Sequence, residues 1–280
     1  MNKALHNSSS TESRGSRRAL AAIILAAGKG KRMNSDLPKV VHKVAGQPMV
    51  RWVVQACREA GADPIVLVIG HGGEAVREAF ADDDADIRYV LQDQQLGTGH
   101  ATLCAKKELA DFDGDVLVLA GDGPLIRAQT IRTMHCKHVE TKAAATMATS
   151  VIPDPTGYGR IVRDPPATGR FQAIVEHKNA SQAQRQIREV YPSYACFDAR
   201  LLFEMLGQVK PDHVSNEYYL TEVFGMLKDC GHRVEIVDAV PPEDVLSIND
   251  PQQLAEVDSI LRARLSSSHS SNKRQAEVAP

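Results

Sequence analysis

A glycine-rich loop with several basic side chains follows the most apolar stretch of the chain. The stretch covers 19–27, and the basic residues after it are Lys29, Lys31, Arg32 and Lys39. Because Gly28 and Gly30 have no Cβ, backbone N–H groups of this loop can come close to an anion. A buried strand that ends in such a loop predicts a phosphate-binding site at the carboxyl edge of a parallel sheet.

Two familiar phosphate-binding loops do not fit this segment. A Walker P-loop has a Ser or Thr after its Gly-Lys pair, whereas Gly30-Lys31 is followed by Arg32. The dinucleotide fingerprint needs a third glycine, near which this chain has Asn34. The alternative is a glycine-rich turn with solvated lysines. The phosphate site is favoured because no acidic residue precedes Asp36 in the loop.

A carboxylate follows a second apolar segment. Asp122 comes shortly after 116–119, and a carboxylate at the end of a buried strand is costly unless it is paired or binds a cation. Mg²⁺ takes one or two protein oxygens and fills its remaining positions with phosphate and water. Asp122 therefore suits a magnesium ligand, and the alternative is a helix N-cap before Pro124.

The order of the motifs resembles a known family. L-x-x-G-x-G-x-R-M at 25–33, followed by S-D-L-P-K at 35–39, is similar to the signature of the sugar-phosphate nucleotidyltransferases. The closer resemblance is to the uridylyltransferase domain of the bifunctional GlmU enzymes. The later matching motifs are G-H-G-G at 70–73, Q-x-x-Q-L-G-T-G-H-A at 92–101, G-D-x-P-L at 121–125, D-P-T-G-Y-G-R-I at 154–161, I-V-E-H-K at 174–178, E-Y-Y-L-T at 217–221 and I-N at 248–249. The resemblance covers roughly residues 18–265.

The resemblance implies an activity and a set of site residues. The expected reaction joins UTP and N-acetylglucosamine 1-phosphate into UDP-N-acetylglucosamine, with Mg²⁺ as cofactor and pyrophosphate as the second product. The candidate catalytic residues are Arg32 and Lys39, and the candidate metal ligands are Asp122 and Asn249. The candidate nucleotide-binding residues are Leu25, Ala26, Ala27, Gly28, Lys39, Gln92, Gln95, Gly97 and Thr98. The candidate sugar-binding residues are Gly159, Glu176, Tyr219 and Thr221.

The chemistry of these residues agrees with displacement at a phosphorus atom. The attacking phosphate of the sugar is already largely dianionic at neutral pH, so the reaction needs no general base. Catalysis then consists of positioning and of neutralising negative charges, which suits lysine, arginine and Mg²⁺. A glutamine amide offers both a donor and an acceptor to uracil, although a Q-x-x-Q pair by itself is typical of a solvated loop.

One segment departs from the family pattern. Members commonly have Glu-x-Asn-Thr-Gly where this chain has Glu189-Val190-Tyr191-Pro192-Ser193. The asparagine that contacts the sugar is thus replaced by Tyr191, and Pro192 removes a backbone donor. The alternatives left open are another sugar such as glucose 1-phosphate, another base such as that of dTTP, and a non-catalytic nucleotide-sugar sensor.

The pattern of apolar segments predicts an α/β protein. Strands are expected near 19–27, 64–69, 87–91 and 115–120, with helices between them. Right-handed crossovers would bring the loops after these strands to one edge of the sheet. We expect a Rossmann-like nucleotidyltransferase fold with a mostly parallel mixed sheet and a small β-rich insertion for the sugar over 158–198.

Composition limits the partners. The chain has 280 residues and a net charge of −2, so no general attraction to nucleic acid or membrane surfaces is implied. Its five cysteines form no C-x-x-C pair, which is typical of reduced thiols in the cytoplasm. We expect a disordered extension over 1–17, a nucleotidyltransferase domain over 18–265 and a disordered tail over 266–280. Bifunctional GlmU proteins continue into an acetyltransferase domain, so we expect neither an acetyl-CoA site nor their type of trimer here.

Overall fold

The computed structural model describes residues 18–70, 72–83, 85–166 and 169–276, without the side chains of 268–276. The strands are β1 (Leu20–Ala26), β2 (Lys43–Val44), β3 (Gln47–Pro48), β4 (Ile65–Ile69), β5 (Ile87–Leu91), β6 (Asp115–Ala120), β7 (Ala145–Val151), β8 (Gly159–Asp164), β9 (Arg170–Val175), β10 (Glu189–Tyr191), β11 (Tyr194–Asp198) and β12 (Val234–Asp238). The helices are α1 (Met49–Ala60), α2 (Gly73–Glu78), α3 (Thr98–Cys104), α4 (Ala128–Thr141), α5 (Gln182–Arg185), α6 (Ala199–Leu206), α7 (Glu222–Asp229) and α8 (Pro251–Ala276).

The central sheet is mixed, as the sequence predicts. Its strand order is β5-β4-β1-β6-β11-β7-β10-β8-β9, and β12 pairs with β7. Strands β5, β4, β1 and β6 are parallel, whereas β11 is antiparallel to β6. The chain builds outward from β1 to β5 and then crosses to β6 on the other side. The strand order therefore reverses between β1 and β6, the position where open α/β sheets bind ligands.

The sheet divides at a break in one of its strands. Both β10 and β11 pair antiparallel with β7, but Pro192 and Ser193 interrupt them, and Ser193 has a φ of 66°. On the edges that face away from β7, β11 pairs with β6 and β10 pairs with β8. Pro192 lacks the N–H that a continuous ladder requires, so this segment forms two short strands instead of one. The hairpin of β8 and β9, with β10, forms the predicted β-rich insertion.

Two clusters of buried side chains cover the two faces of the sheet. Ala22 and Ile24 of β1 pack with α1 and α4, while Ala21 and Ile23 pack with α3, α6 and α7. Since β1 is buried on both faces, it is apolar along its whole length. This packing holds the carboxyl end of β1 rigidly below the glycine-rich loop.

The carboxyl-terminal helix α8 runs from Pro251 to Ala276. The disordered tail expected over 266–280 stays a prediction. No glycine or proline lies between Pro251 and Pro280 to end the helix earlier. The predicted extension over 1–17 and the segment 277–280 lie outside the described residues. Within the described part of the chain, no helix combines the length and the apolarity needed to cross a membrane.

Candidate active site

A cleft of about 620 Å³ opens at the carboxyl ends of β1 and β6. The predicted residues that line it are Leu25, Ala27, Gly28, Arg32, Lys39, Gln92, Gln95, Gly97, Thr98, Asp122, Gly159, Glu176, Tyr219, Thr221 and Asn249. Ala26 does not line it. Because successive side chains of a strand point to opposite faces, Ala26 is buried in the core between Leu25 and Ala27.

The glycine-rich loop folds back onto Lys39. Gly30 has a φ of 60°, and a Cβ added to it would lie 2.7 Å from the Cβ of Lys39. Met33 is buried below the loop and its N–H donates to the carbonyl of Gly30 at 2.8 Å. Arg32 lines the cleft and is exposed, whereas Lys29 is exposed but does not line it. Glycine is therefore required at position 30 for close packing as well as for its backbone angle.

Two oxygen-bearing side chains converge on the Lys39 ammonium. Its Nζ forms an ion pair with Oδ2 of Asp122 and donates to Oδ1 of Asn249 at 3.1 Å. The Ile248 N–H donates to the Asp122 carbonyl at 2.9 Å, which joins the two segments. Asn249 Nδ2 donates to Ser247 Oγ at 3.2 Å, so the amide oxygen is turned toward Lys39. The Asp122 side chain is 18% exposed, which leaves the pair open to the cleft.

This pair of oxygens fits a magnesium ion. A carboxylate and an amide oxygen are hard ligands, and both already face one cation. Asp122 and Asn249 would hold Mg²⁺, and the remaining positions would be left to phosphate and water. The distance between the two residues in the sequence explains why a spacing motif could not reveal the pair.

Two of the predicted nucleotide-binding residues are glutamines held in place at one end of the cleft. Gln92 is 4% exposed, its Nε2 donates to the carbonyl of Gly97 at 3.2 Å, and it lies 3.1 Å from Nδ1 of His100. Gln95 Nε2 donates to the carbonyl of Ala27 at 2.5 Å. Hydrogen bonds to backbone carbonyls therefore fix both side-chain amides. This differs from the alternative that the Q-x-x-Q pair belongs to a solvated loop with free side chains.

The loop after these glutamines is fastened to 217–221. Gly97 has a φ of 104°, and a Cβ on it would lie 2.6 Å from the carbonyl oxygen of Tyr218. Oγ1 of Thr98 accepts a hydrogen bond from the N–H of Leu220 at 3.0 Å. The predicted nucleotide and sugar segments are thus in direct contact, which holds the two halves of the cleft together.

The predicted sugar-binding residues lie together in the other half. Thr221 Oγ1 donates to Oε1 of Glu176 at 2.9 Å. Burial raises the pKa of Glu176, although the Thr221 hydrogen bond and the charge of Lys178 act in the opposite direction. Tyr219 donates its hydroxyl to Ser215 Oγ at 2.7 Å, and Lys178 Nζ lies 5.3 Å from its ring centre. This half therefore offers a buried acceptor beside an aromatic wall.

Sequence reasoning missed several residues of the cleft. Gln253 lines it and accepts a hydrogen bond from the Asn249 N–H at 2.8 Å, so it positions a predicted metal ligand. Ser247, Pro192 and Ser193 also line it. A signal for Gln253 existed, since it follows Asp250 by three residues at the start of a helix, which is the spacing of a capping box.

Comparisons with known proteins identify the family of the chain. Residues 22–204 match the MobA-like NTP transferase domain. The bifunctional protein GlmU of Geobacter sulfurreducens is 46% identical over 253 residues, which are 90% of this chain and 52% of that protein. GlmU of Brevibacillus brevis is 44% identical over 251 residues, or 90% of this chain and 53% of that protein. The chain therefore spans about half the length of the curated relatives it matches.

Solved structures share the fold. A UDP-glucose pyrophosphorylase complexed with UDP-glucose superposes with a TM-score of 0.71 at 16% identity, covering 88% of this chain and 99% of that chain. A UDP-glucose pyrophosphorylase from Acinetobacter baumanii gives a TM-score of 0.65 at 20% identity, covering 86% of this chain and 92% of that chain. These identities support the fold alone. The sequence match over 22–204, with the fold and the relatives, shows that this chain belongs to the family of MobA-like NTP transferase domains.

Proposed function

We propose that this chain transfers UMP from UTP to N-acetylglucosamine 1-phosphate and releases pyrophosphate. The observation that carries the proposal is the convergence of Asp122 and Asn249 on Lys39, in a cleft that Arg32 also lines. The name of the relatives at 44–46% identity supports the same reaction, and the five unpaired cysteines support a cytoplasmic location.

The residues of this cleft can do this chemistry by position and charge. The backbone around Gly28 would receive the triphosphate, with Gln92 and Gln95 at the uracil edge. Arg32 and Lys39 would bind phosphate oxygens whose negative charge increases in the transition state. When bound, Mg²⁺ would supply further neutralisation of the phosphates from Asp122 and Asn249. Glu176 and Thr221 would orient the sugar so that its phosphate attacks in line.

A second candidate is the same transfer to glucose 1-phosphate. The observation that favours it is the break at Tyr191, Pro192 and Ser193, which lines the sugar half and lacks a backbone donor at Pro192. A sensor without catalysis is less well supported, because binding alone does not require Arg32 beside a pair of metal ligands.

Pyrophosphate release over a grid of nucleoside triphosphates and sugar 1-phosphates, with MgCl₂ present, tests the proposal. We expect the highest kcat/KM for UTP with N-acetylglucosamine 1-phosphate. The variant Asp122→Asn should lose activity, while Asp111→Asn, an exposed aspartate outside the cleft, should keep it. A higher kcat/KM with glucose 1-phosphate would select the second candidate. If no pair of substrates releases pyrophosphate, the non-catalytic sensor is the remaining candidate.

A further inference from the structure

One arginine of the β8–β9 hairpin is buried without an acidic partner. Among the described lysines and arginines only Arg160 is buried, with 1% of its surface exposed, and it forms no ion pair within the described residues. Its Nε also has no hydrogen-bond partner there. Because arginine stays protonated inside proteins, this is a buried charge, and a buried charge without an opposite one costs stability. Core packing therefore does not explain Arg160.

The guanidinium of Arg160 bridges two backbone segments. Its Nη1 donates to the carbonyl of Tyr158, and its Nη2 donates to Nδ1 of His177 at 3.1 Å. Since arginine has only donors, Nδ1 of His177 is the acceptor and carries no proton. The ladder between β8 and β9 ends where Arg160 lies opposite Val175, and on the same register Tyr158 would lie opposite His177. The guanidinium thus joins the two strands just beyond the end of their ladder.

This bridge lies beside the sugar half of the cleft. Gly159 follows Tyr158, Glu176 precedes His177, and both Gly159 and Glu176 line the cleft. A Cβ added to Gly159 would lie 4.0 Å from Oε1 of Glu176, so these two residues share one face of the hairpin, and Arg160 points to the other face. No strand pairing joins Gly159 to Glu176. Their spacing therefore depends on the contacts that hold their neighbours.

We propose that Arg160 is a positioning residue that acts through Tyr158 and His177 and sets the spacing of Gly159 and Glu176 for the sugar. The inference rests on the proposed function. Arg160 does not line the cleft, so it acts on the sugar only through its neighbours. A planar guanidinium holds both segments at once, whereas a neutral side chain of similar length fills the volume and holds neither.

The variant Arg160→Met tests the bridge, because methionine occupies much of the same space without a donor. We expect the KM for the preferred sugar 1-phosphate to rise about tenfold, since the groups that orient the sugar are displaced. The KM for UTP should stay within about threefold of the wild type, because the nucleotide half of the cleft is untouched. Steady-state kinetics with pyrophosphate detection measures both.

Substitutions of His177 test the second end of the bridge. His177→Asn provides an amide oxygen that can accept from Arg160, so it should keep the KM for the sugar 1-phosphate. His177→Leu cannot accept and should raise that KM. In the double variant with Arg160→Met, the loss should equal that of Arg160→Met alone, because both changes break one bridge. Losses that add would contradict the bridge.

Arg163 of the same strand provides the matched control. Its guanidinium donates to both carboxylate oxygens of Glu189, at 2.6 and 2.7 Å, and it does not line the cleft. Arg163→Met leaves Glu189 without its ion-pair partner, so it should lower the melting temperature more than Arg160→Met, which removes a charge that has no opposite partner. The KM for the sugar 1-phosphate should nevertheless rise only in Arg160→Met. A merely structural Arg160 would leave this KM unchanged or make it follow the melting temperature in both variants.

Calorimetry separates this inference from the proposed function. Titration with UDP-N-acetylglucosamine, with UDP-glucose and with UTP needs no turnover. Arg160→Met should weaken the tighter of the two UDP-sugars about tenfold and leave UTP unchanged. If no sugar 1-phosphate is turned over but this selective loss appears, the proposed reaction is wrong and the role of Arg160 stands. UDP-sugar affinities that are equal in Arg160→Met and the wild type would overturn the inference.

Discussion

Arg32 and Lys39 differ in the contacts that their side chains would have to give up when a substrate binds. Arg32 lies at the cleft wall and makes no ion pair or hydrogen bond within the described part of the chain. Lys39 is already held by Asp122 and Asn249. A phosphate would therefore give Arg32 its partner, whereas Lys39 must exchange part of its present contacts. The contribution of Arg32 is the easier one to isolate by mutation.

Replacement of Arg32 by alanine should lower kcat by roughly 100-fold, because it removes a cation that stabilises charge developing in the transition state. The KM for the sugar 1-phosphate should change by less than about threefold, since the sugar half of the cleft is untouched. Steady-state kinetics with pyrophosphate detection measures both. Lys31→Ala is the control, because Lys31 is an exposed cation of the same loop that does not line the cleft. Unchanged turnover in Arg32→Ala would remove this residue from the mechanism.

At the scale of elements, Asp115 joins strand β6 to helix α4. Its side chain is fully buried, Nε2 of His135 lies 3.0 Å from Oδ2, and Nε2 of His138 lies 3.4 Å from Oδ1. Arg18 approaches the same carboxylate at 3.0 Å. Burial acts to raise the pKa of Asp115, but the hydrogen bond with His135 and the proximity of His138 and Arg18 outweigh it and lower the pKa to about 2. The strand that carries Asp122 is thereby tied to the helix behind it.

The stability of the protein should depend on Asp115 in acid. Because the folded pKa is below the usual 3.8, the ionised carboxylate adds stability above pH 4 and loses it as the pH falls toward 2. The contribution near pH 5 is about 2 kcal/mol. Urea unfolding should therefore show Asp115→Asn less stable than wild type at pH 5, with a gap narrower by about 1 kcal/mol at pH 3. Asp111→Asn should show no such gap, and a gap that does not vary with pH would refute the assignment.

At the scale of the whole molecule, the cleft lies between the parallel part of the sheet, which ends at β1 and β6, and the insertion formed by β8, β9 and β10. The segment before α8 brings Asn249, the second of the two proposed metal ligands, to Asp122. Ion pairs from Asp244 to Arg127 and Arg264, each at 2.5 Å, anchor this segment. Asp258 of α8 accepts a further hydrogen bond from the Ala45 N–H at 2.6 Å. Nucleotide bound with metal would thus connect β1, β6 and the end of the chain, so ligand binding should stabilise the fold as a unit.

UTP with MgCl₂ at about 100 times its Kd should stabilise the protein by about 2.7 kcal/mol. For a domain of this size that corresponds to a rise in Tm of roughly 5–10 °C, measured by calorimetry. EDTA, or the variant Asp122→Asn, should remove most of the rise because the phosphates then lack the metal. Asp111→Asn should retain it. An equal rise with and without EDTA would contradict the metal site.

Much of the site could be predicted because its signals are local. The apolar run of β1, the glycines that follow it and the basic residues up to Lys39 are neighbours in the chain, so periodicity and residue type are informative. The roles of Gln92 and Glu176 depended on family resemblance, because neither residue type is diagnostic alone. Ala26 was assigned to the site by the same resemblance, and only the alternation along β1 shows that its side chain points into the core.

The amino-acid sequence alone determined the strand-and-helix order, the glycine-rich basic loop after β1 and the carboxylate after β6, since each arises from residues within one turn or strand. Only the tertiary structure decided that Asn249 meets Asp122 at Lys39, and that the break at Pro192 separates β10 from β11 and so divides the sheet. The physical reason is that these contacts join distant segments. They are decided by how the strands cross and pair in three dimensions, which no local pattern encodes.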